Sequence, residues 1–212
     1  MSFESFATIP ASFVLGSVPF GFLMAKFLGG IDIRKEGSGN IGATNVTRLL
    51  GWKIGFPVLL LDIAKGALPV LLAKYLFPDR ADILPLLCGI SAVLGHIFSP
   101  FLKFKGGKGV ATSFGVFAVL APGSILITLI VFLSLKKIFG FVSLGSIGGA
   151  IALPISYYSL SLIEGKDFNT PIFWATVCVS LTILFLHRTN LIRLVKGKEF
   201  TSDKEKYHRD EE

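Results

Sequence analysis

Three separated segments of this chain collect the residue types that bind anions and move protons: KEGSGNIGATNVTR at 35–48, GHIFSPFLKFKGGKGVAT at 95–112 and HRTNLIRLVKGKE at 187–199. In the first, Gly37, Gly39, Gly42 and Gly51 give a backbone that can approach a ligand closely. Ser38 or Asn40 is placed to cap a short helix closed by Gly51, and the N–H groups at such a helix start attract an anion. Thr44 and Arg48, spaced i,i+4, are expected to share a face, with Asn45 beside them. The alternative is an interfacial loop with ordinary capping residues. The second segment carries His96 and then Lys105, Gly106, Gly107 and Lys108, running on to Thr112. Two lysines flanking paired glycines at a helix start suit a phosphate, because exposed N–H groups, the positive dipole end and point charges converge there. The segment is not a Walker A sequence, so nucleotide hydrolysis is not implied. A plain basic loop on the cytoplasmic side would explain the lysines, but not His96 or the glycines. In the third segment His187, Asn190 and Arg193 recur every third residue as a polar stripe, Arg193 offers a fork for phosphate, and Glu199 is expected to pair with a cation. For Arg188 and Arg193 the alternative is snorkelling at a helix end.

These side chains need elements to position them, and composition dictates what those are. Of 212 residues, 52% are hydrophobic and 17% charged, and mean hydropathy is +0.70, which is the composition of a membrane protein with little room for a water-soluble domain. The expected class is an all-α integral membrane protein. Apolar runs lie at about 5–29, 54–77, 82–102, 141–163 and 169–187. A further stretch, 110–135, holds Pro122 and Gly123 in its middle, which predicts two short helices of about 12 and 14 residues rather than one. Gly115, Ala118, Ala121 and Gly123 would let that pair approach its neighbours closely. Charge supports the division. With seven spans, the inner loops and tail hold Arg34, Lys35, Arg48, Lys53, Lys103, Lys105, Lys108, Lys136, Lys137, Arg188, Arg193, Lys196 and Lys198, against Arg80 and Lys166 outside. The N-terminus is then outside, the C-terminus is cytoplasmic, and all three polar segments face the cytoplasm. Residues 1–199 read as one polytopic membrane domain and 200–212 as a frayed polar tail. Glu4 with no preceding Lys or Arg argues against a cleaved secretory leader. Cys88 and Cys178 lie in apolar runs without metal-ligand spacing. Asp62 and Lys65, i,i+3 within a span, are expected to form a structural ion pair. In SLGSIGG at 143–149, Ser143 and Ser146 either pack with the glycines or lend hydroxyls to the same site.

The segments GSVPFGFLMAK at 16–26, SGNIGATNVTR, LDIAKG, KGGKGVAT and HRTNLIRLVKGKE together resemble the bacterial acyl-phosphate:glycerol-3-phosphate acyltransferase family, over nearly the whole chain. The resemblance implies transfer of a fatty acyl group from acyl phosphate to the 1-hydroxyl of glycerol 3-phosphate, giving lysophosphatidic acid for phospholipid synthesis at the inner membrane of a bacterial cell. It leaves the acidic tail past Glu199 unexplained. The residue chemistry agrees: two phosphorylated substrates need dense cations, and acyl phosphate is already activated. There is no Ser-His-Asp arrangement, and no HxxxxD motif starts at His96 or His187. The expected mechanism is direct attack by the glycerol hydroxyl. Lys108, Lys105 and the amides of Gly106 and Gly107 hold a phosphate and developing charge; Ser38, Arg48, His187 and Asn190 position glycerol 3-phosphate. The base is His187, His96 or an oxygen of a substrate phosphate. Asn40, Thr44, Asn45, Thr112, Ser143, Ser146, Arg193 and Glu199 complete the candidate site. Expected partners are the two substrates, membrane lipid and an upstream enzyme making acyl phosphate; no cofactor, metal or nucleic acid is expected, and the chain is expected to act as a monomer. The rival reading is an anion or phosphate-ester transporter, against which stand the one-sided cationic clusters and the lack of a discernible inverted repeat.

Overall fold

The computed structural model describes residues 3–80 and 83–201, and every regular element among them is helical. Backbone polar groups in hydrocarbon must be paired within their own segment, so apolar runs of this length become helices. The chain forms two compact units, Met1–Leu120 and Ala121–Glu212. The polar tail expected from residue 200 lies outside the described residues beyond Thr201.

In the first unit the helices are α1 (Phe3–Ser17), α2 (Phe20–Gly29), α3 (Ala43–Leu50), α4 (Trp52–Leu76), α5 (Leu84–Ile97) and α6 (Val110–Leu120). The run expected at 5–29 is interrupted at Val18–Pro19, where proline has no N–H to continue the ladder and restricts the residue before it. The run expected at 82–102 ends as helix at Ile97 and continues through a single 3-10 turn, Pro100–Leu102, which places His96 in the last helical turn. Helices approach closely where glycine removes the obstacle. A Cβ on Gly66 of α4 would enter the Thr112 backbone of α6, and one on Gly115 would enter Ile63. The α1–α5 contact is similar, with Gly16 against Ala92 and Gly95 against Phe13 and Ser17. There Ser91 Oγ donates to the Ile9 carbonyl at 2.8 Å and Ser99 Oγ to the Ser17 carbonyl at 2.6 Å. Ala25, Ile33, Ile41, Val46, Val58 and Leu102 form a buried apolar cluster that ties the first polar loop to α2, α3 and α4.

The second unit comprises α7 (Pro122–Phe139), α8 (Val142–Ile163), α9 (Pro171–Leu186) and α10 (Arg188–Val195). The helix break expected at Pro122 is present: α6 stops at Leu120 and α7 starts with Pro122 in its first position. The lengths differ from expectation, with 11 residues in α6 and 18 in α7, because α7 continues through Lys136 and Lys137 to a left-handed cap at Gly140. Gly145, Gly148 and Gly149 lie against Phe132, Leu135 and Thr128, so the small residues of SLGSIGG pack α8 on α7. Thr170 caps α9 by accepting from the Phe173 N–H, and Tyr157 of α8 meets its hydroxyl at 2.9 Å.

Among the described residues, five helical stretches are long and apolar enough to cross a membrane: Ser5–Gly29, Trp52–Leu76, Leu84–Leu102, Pro122–Phe139 and Val142–Ile163. A sixth arises if α9 and α10, bent by 51°, count as one. The protein is therefore an all-α membrane protein with several spans.

Candidate active site

The first polar segment is organised by one side chain. Asn45 is 2% exposed. Its Nδ2 donates to the carbonyls of Glu36 and Asn40, each at 3.0 Å, while its Oδ1 accepts from the Ser38 N–H at 3.0 Å and from Arg48 Nη1 at 3.1 Å. An amide has two donors and two lone pairs, and all four are engaged. Asn45, expected as a substrate ligand, is instead the bracket that fixes Ser38 and Arg48. Neither Ser38 nor Asn40 caps α3 as expected: Gly42 is the cap residue, and Asn40, two residues before it, accepts from the Gly42 N–H through Oδ1 at 2.8 Å. Gly51 closes the helix as expected. Thr44 is exposed while Arg48 is 8% exposed and donates to Asn45, so the two residues of the expected shared face differ in their surroundings. Gly37 and Gly39 have φ of +56° and +70°, a left-handed backbone that a side chain would strain.

In the second segment the paired glycines have another role than the one their spacing suggested. The Gly106 N–H donates to the Ile97 carbonyl at 2.9 Å and the Gly107 N–H to the His96 carbonyl at 3.0 Å. Both amides are thus engaged with the end of α5, which corrects their assignment as phosphate donors. A Cβ on Gly107 would land on the His96 imidazole. The glycines also precede the helix, since α6 begins at Val110, so the amides of its first turn belong to Val110 and the residues after it. Lys105 is exposed and Lys108 is half-buried between Gly107 and the left-handed Gly109. Thr112 is buried with its hydroxyl unpartnered. His96 is buried, with Nδ1 3.8 Å from Asp62 Oδ1. Asp62 and Lys65 form the expected ion pair at 2.9 Å, and Lys65 Nζ also donates to the Val18 carbonyl at 2.8 Å. Beside this group, Val18, Pro19, Phe22, Leu23, Phe101 and Leu102 line an apolar cavity of 210 Å³.

In the second unit, His187 stands at the bend between α9 and α10 and is 3% exposed. Its Nδ1 lies 2.8 Å from the Ile183 carbonyl. A carbonyl only accepts, so Nδ1 carries the proton and Nε2 carries the lone pair of the neutral ring. Glu199 pairs as expected: Oε1 accepts from Asn190 Nδ2 at 2.6 Å and Oε2 from Arg193 Nε at 2.8 Å. Arg188, by contrast, donates to the Phe185 carbonyl and lies over the Phe185 ring, which is the helix-end alternative. Ser146 Oγ donates to the Val142 carbonyl of its own helix at 3.0 Å, and the buried Ser143 hydroxyl is unpartnered.

The model of the family described as glycerol-3-phosphate acyltransferase matches residues 6–197, which includes most of all three polar segments. The chain belongs to this family. A glycerol-3-phosphate acyltransferase of Leptospira borgpetersenii serovar Hardjo-bovis is 48% identical over 200 residues, covering 94% of this chain and 91% of the relative. That of Myxococcus xanthus is 43% identical over 194 residues, covering 91% and 97%. Among solved structures, the glycerol 3-phosphate form of PlsY (YgiH), an integral membrane glycerol 3-phosphate acyltransferase, is similar with a TM-score of 0.83 at 36% identity, over 93% of this chain and 95% of that one. Its lysophosphatidic acid form gives 0.80 at 35% identity, over 95% and 96%. In this acyltransferase-family chain, sequence reasoning missed the Asp62–His96 approach. The two residues are 34 apart and on different helices, and the only local sign was a charge pair inside an apolar run.

Proposed function

We propose that the protein transfers a fatty acyl group from acyl phosphate to the 1-hydroxyl of glycerol 3-phosphate, forming lysophosphatidic acid and releasing inorganic phosphate. The observation that carries this reading is the family match across residues 6–197, because it spans the separated clusters rather than one motif. Acyl phosphate as donor fits the chain's chemistry, since phosphate leaves readily and no nucleophilic triad or HxxxxD dyad is present in the sequence. Lys108, next to the first turn of α6, grips the donor phosphate and offsets charge developing on it. Lys105, exposed on the same loop, steers the anion. Arg48, fixed by Asn45, together with Ser38, Asn190 and Arg193, holds glycerol 3-phosphate. Nε2 of His187 accepts the proton of the attacking hydroxyl, directly or in competition with a substrate phosphate oxygen. The hydroxyl oxygen bonds to the acyl carbon as the C–O bond to phosphate breaks. The acyl chain lies along the apolar cavity at Val18, Phe22 and Leu102, which adjoins the lysine loop.

We also propose seven membrane segments within one polytopic domain, α6 being one of them, with the N-terminus outside, the C-terminus cytoplasmic and the three clusters at the cytoplasmic face of the bacterial inner membrane. An upstream enzyme supplies acyl phosphate, and the working unit is a monomer. The test is purified protein with palmitoyl phosphate and glycerol 3-phosphate, and palmitoyl-CoA as the control donor. Lysophosphatidic acid from the phosphate donor alone is the expected result, and none from it removes the reading. Lys108→Ala should lower kcat about 100-fold or more. If His187→Gln keeps most turnover while Lys108→Ala loses it, the proton goes to phosphate and not to His187.

A further inference from the structure

The acyltransferase reading leaves one buried ionic group unexplained. Asp62 and Lys65 sit in mid-helix, their side chains 4% and 1% exposed. Two charges so deeply buried are not a favourable way to join helices, since well-packed apolar residues of similar volume serve as well or better. Lys65 has two oxygen partners, Asp62 at 2.9 Å and the Val18 carbonyl at 2.8 Å. The oxygen that meets Lys65, Asp62 Oδ1, also faces His96 Nδ1 at 3.8 Å, and that buried ring nitrogen has no hydrogen-bond partner. Such a gap is what an active-site hydrogen bond shows before substrate tightens it. The other side of the His96 ring is where a Cβ of Gly107 would fall, and the His96 carbonyl receives the Gly107 N–H. Lys108 follows directly. One turn after Asp62 on the same face of α4, Gly66 touches the Thr112 backbone, so the helix bearing Asp62 also fixes the start of α6.

We propose that Asp62, held by Lys65, is a positioning residue for the reaction: its carboxylate sets the His96 ring, the ring and carbonyl of His96 set Gly107, and Gly107 sets Lys108 against the donor phosphate. This rests on Lys108 gripping acyl phosphate, as proposed above. Against it stands a purely structural pair, in which each charge serves only to neutralise the other.

A mutant cycle separates the two. The neutral pair Asp62→Asn/Lys65→Met leaves no uncompensated charge, and it is measured alone and combined with His96→Gln, with kcat/KM for palmitoyl phosphate, KM for glycerol 3-phosphate and the thermal midpoint as readouts. Expected is a loss of about tenfold or more in kcat/KM for the donor in the native background, shrinking to about twofold or less once His96 is Gln, with KM for glycerol 3-phosphate unchanged. Native activity in the neutral pair, the same loss in both backgrounds, or a loss that spreads to KM for glycerol 3-phosphate would overturn the proposal. Should the neutral pair not fold, Asp62→Glu keeps the charge balance while displacing the carboxylate, and it is read by the same rule. Wild-type product formation is the control for the acyltransferase reading, so its absence would indict that reading and only the cycle bears on Asp62.

Discussion

Asn45 uses its whole hydrogen-bonding capacity inside one loop, so its removal does more than delete a contact. Asn45→Ala strips partners from the Ser38 N–H and from the Glu36 and Asn40 carbonyls at once. We expect a loss of about 2–4 kcal/mol in unfolding free energy, together with a fall in activity as Arg48 loses its bracket; a thermal midpoint equal to that of the wild type would refute the bracket role. Outside the spans, the Arg34 side chain beside Asp32 holds that carboxyl at about 2, below its usual 3.8. A lowered folded value means the unfolded chain binds the proton first. The pairing therefore contributes fully above pH 3.8 and vanishes as pH falls through about 2, with no effect near neutrality. Following the Asp32 carboxyl signal by NMR checks it; a midpoint at or above 3.8 would show that Arg34 does not hold the carboxylate. The residue types of the candidate site were legible in the sequence, but not their partners. Spacing put Asn45 and Thr44 beside Arg48 equally, and only burial and saturation singled out Asn45 as the bracket.

At the scale of elements, the glycines divide by what surrounds them. Gly66 on α4 meets the Thr112 backbone, whereas Gly30 has open space about it and only a left-handed backbone to maintain. Gly66→Leu should separate α4 from α6 and cost about 3 kcal/mol or more, against about 1 kcal/mol for Gly30→Ala. Thermal unfolding of both variants in detergent decides it, and equal midpoints would refute the close contact. The helix break before Pro122 was legible because proline acts locally. The end of α7 was not, since the apolar count stopped at the two lysines while the helix ran on to Gly140. The paired glycines misled for a related reason. Their amides go to the carbonyls of His96 and Ile97, a connection that a motif read along the chain does not contain.

At the scale of the whole molecule, the membrane class was legible from composition, because 52% hydrophobic residues come with only 17% charged ones and a mean hydropathy of +0.70. Orientation rests on charge counting. Cysteines placed at the exposed positions Lys105 and Lys198 should react with an impermeant thiol reagent only from the cytoplasmic side, and one at exposed Lys166 only from the other. Labelling of Lys105→Cys from outside would invert the topology. α6, at 11 residues or about 16 Å, is the segment that cannot cross a bilayer of about 30 Å unaided. Glu199 also sets a practical boundary. Its carboxylate is the anchor for Asn190 and Arg193 together, so shortening the protein from its C-terminal end should be tolerated as far as the two residues that follow it. Ending at Lys198 instead would take that carboxylate from Asn190 and Arg193 at one stroke, and a protein trimmed so far should melt at a lower temperature than one that stops at Thr201.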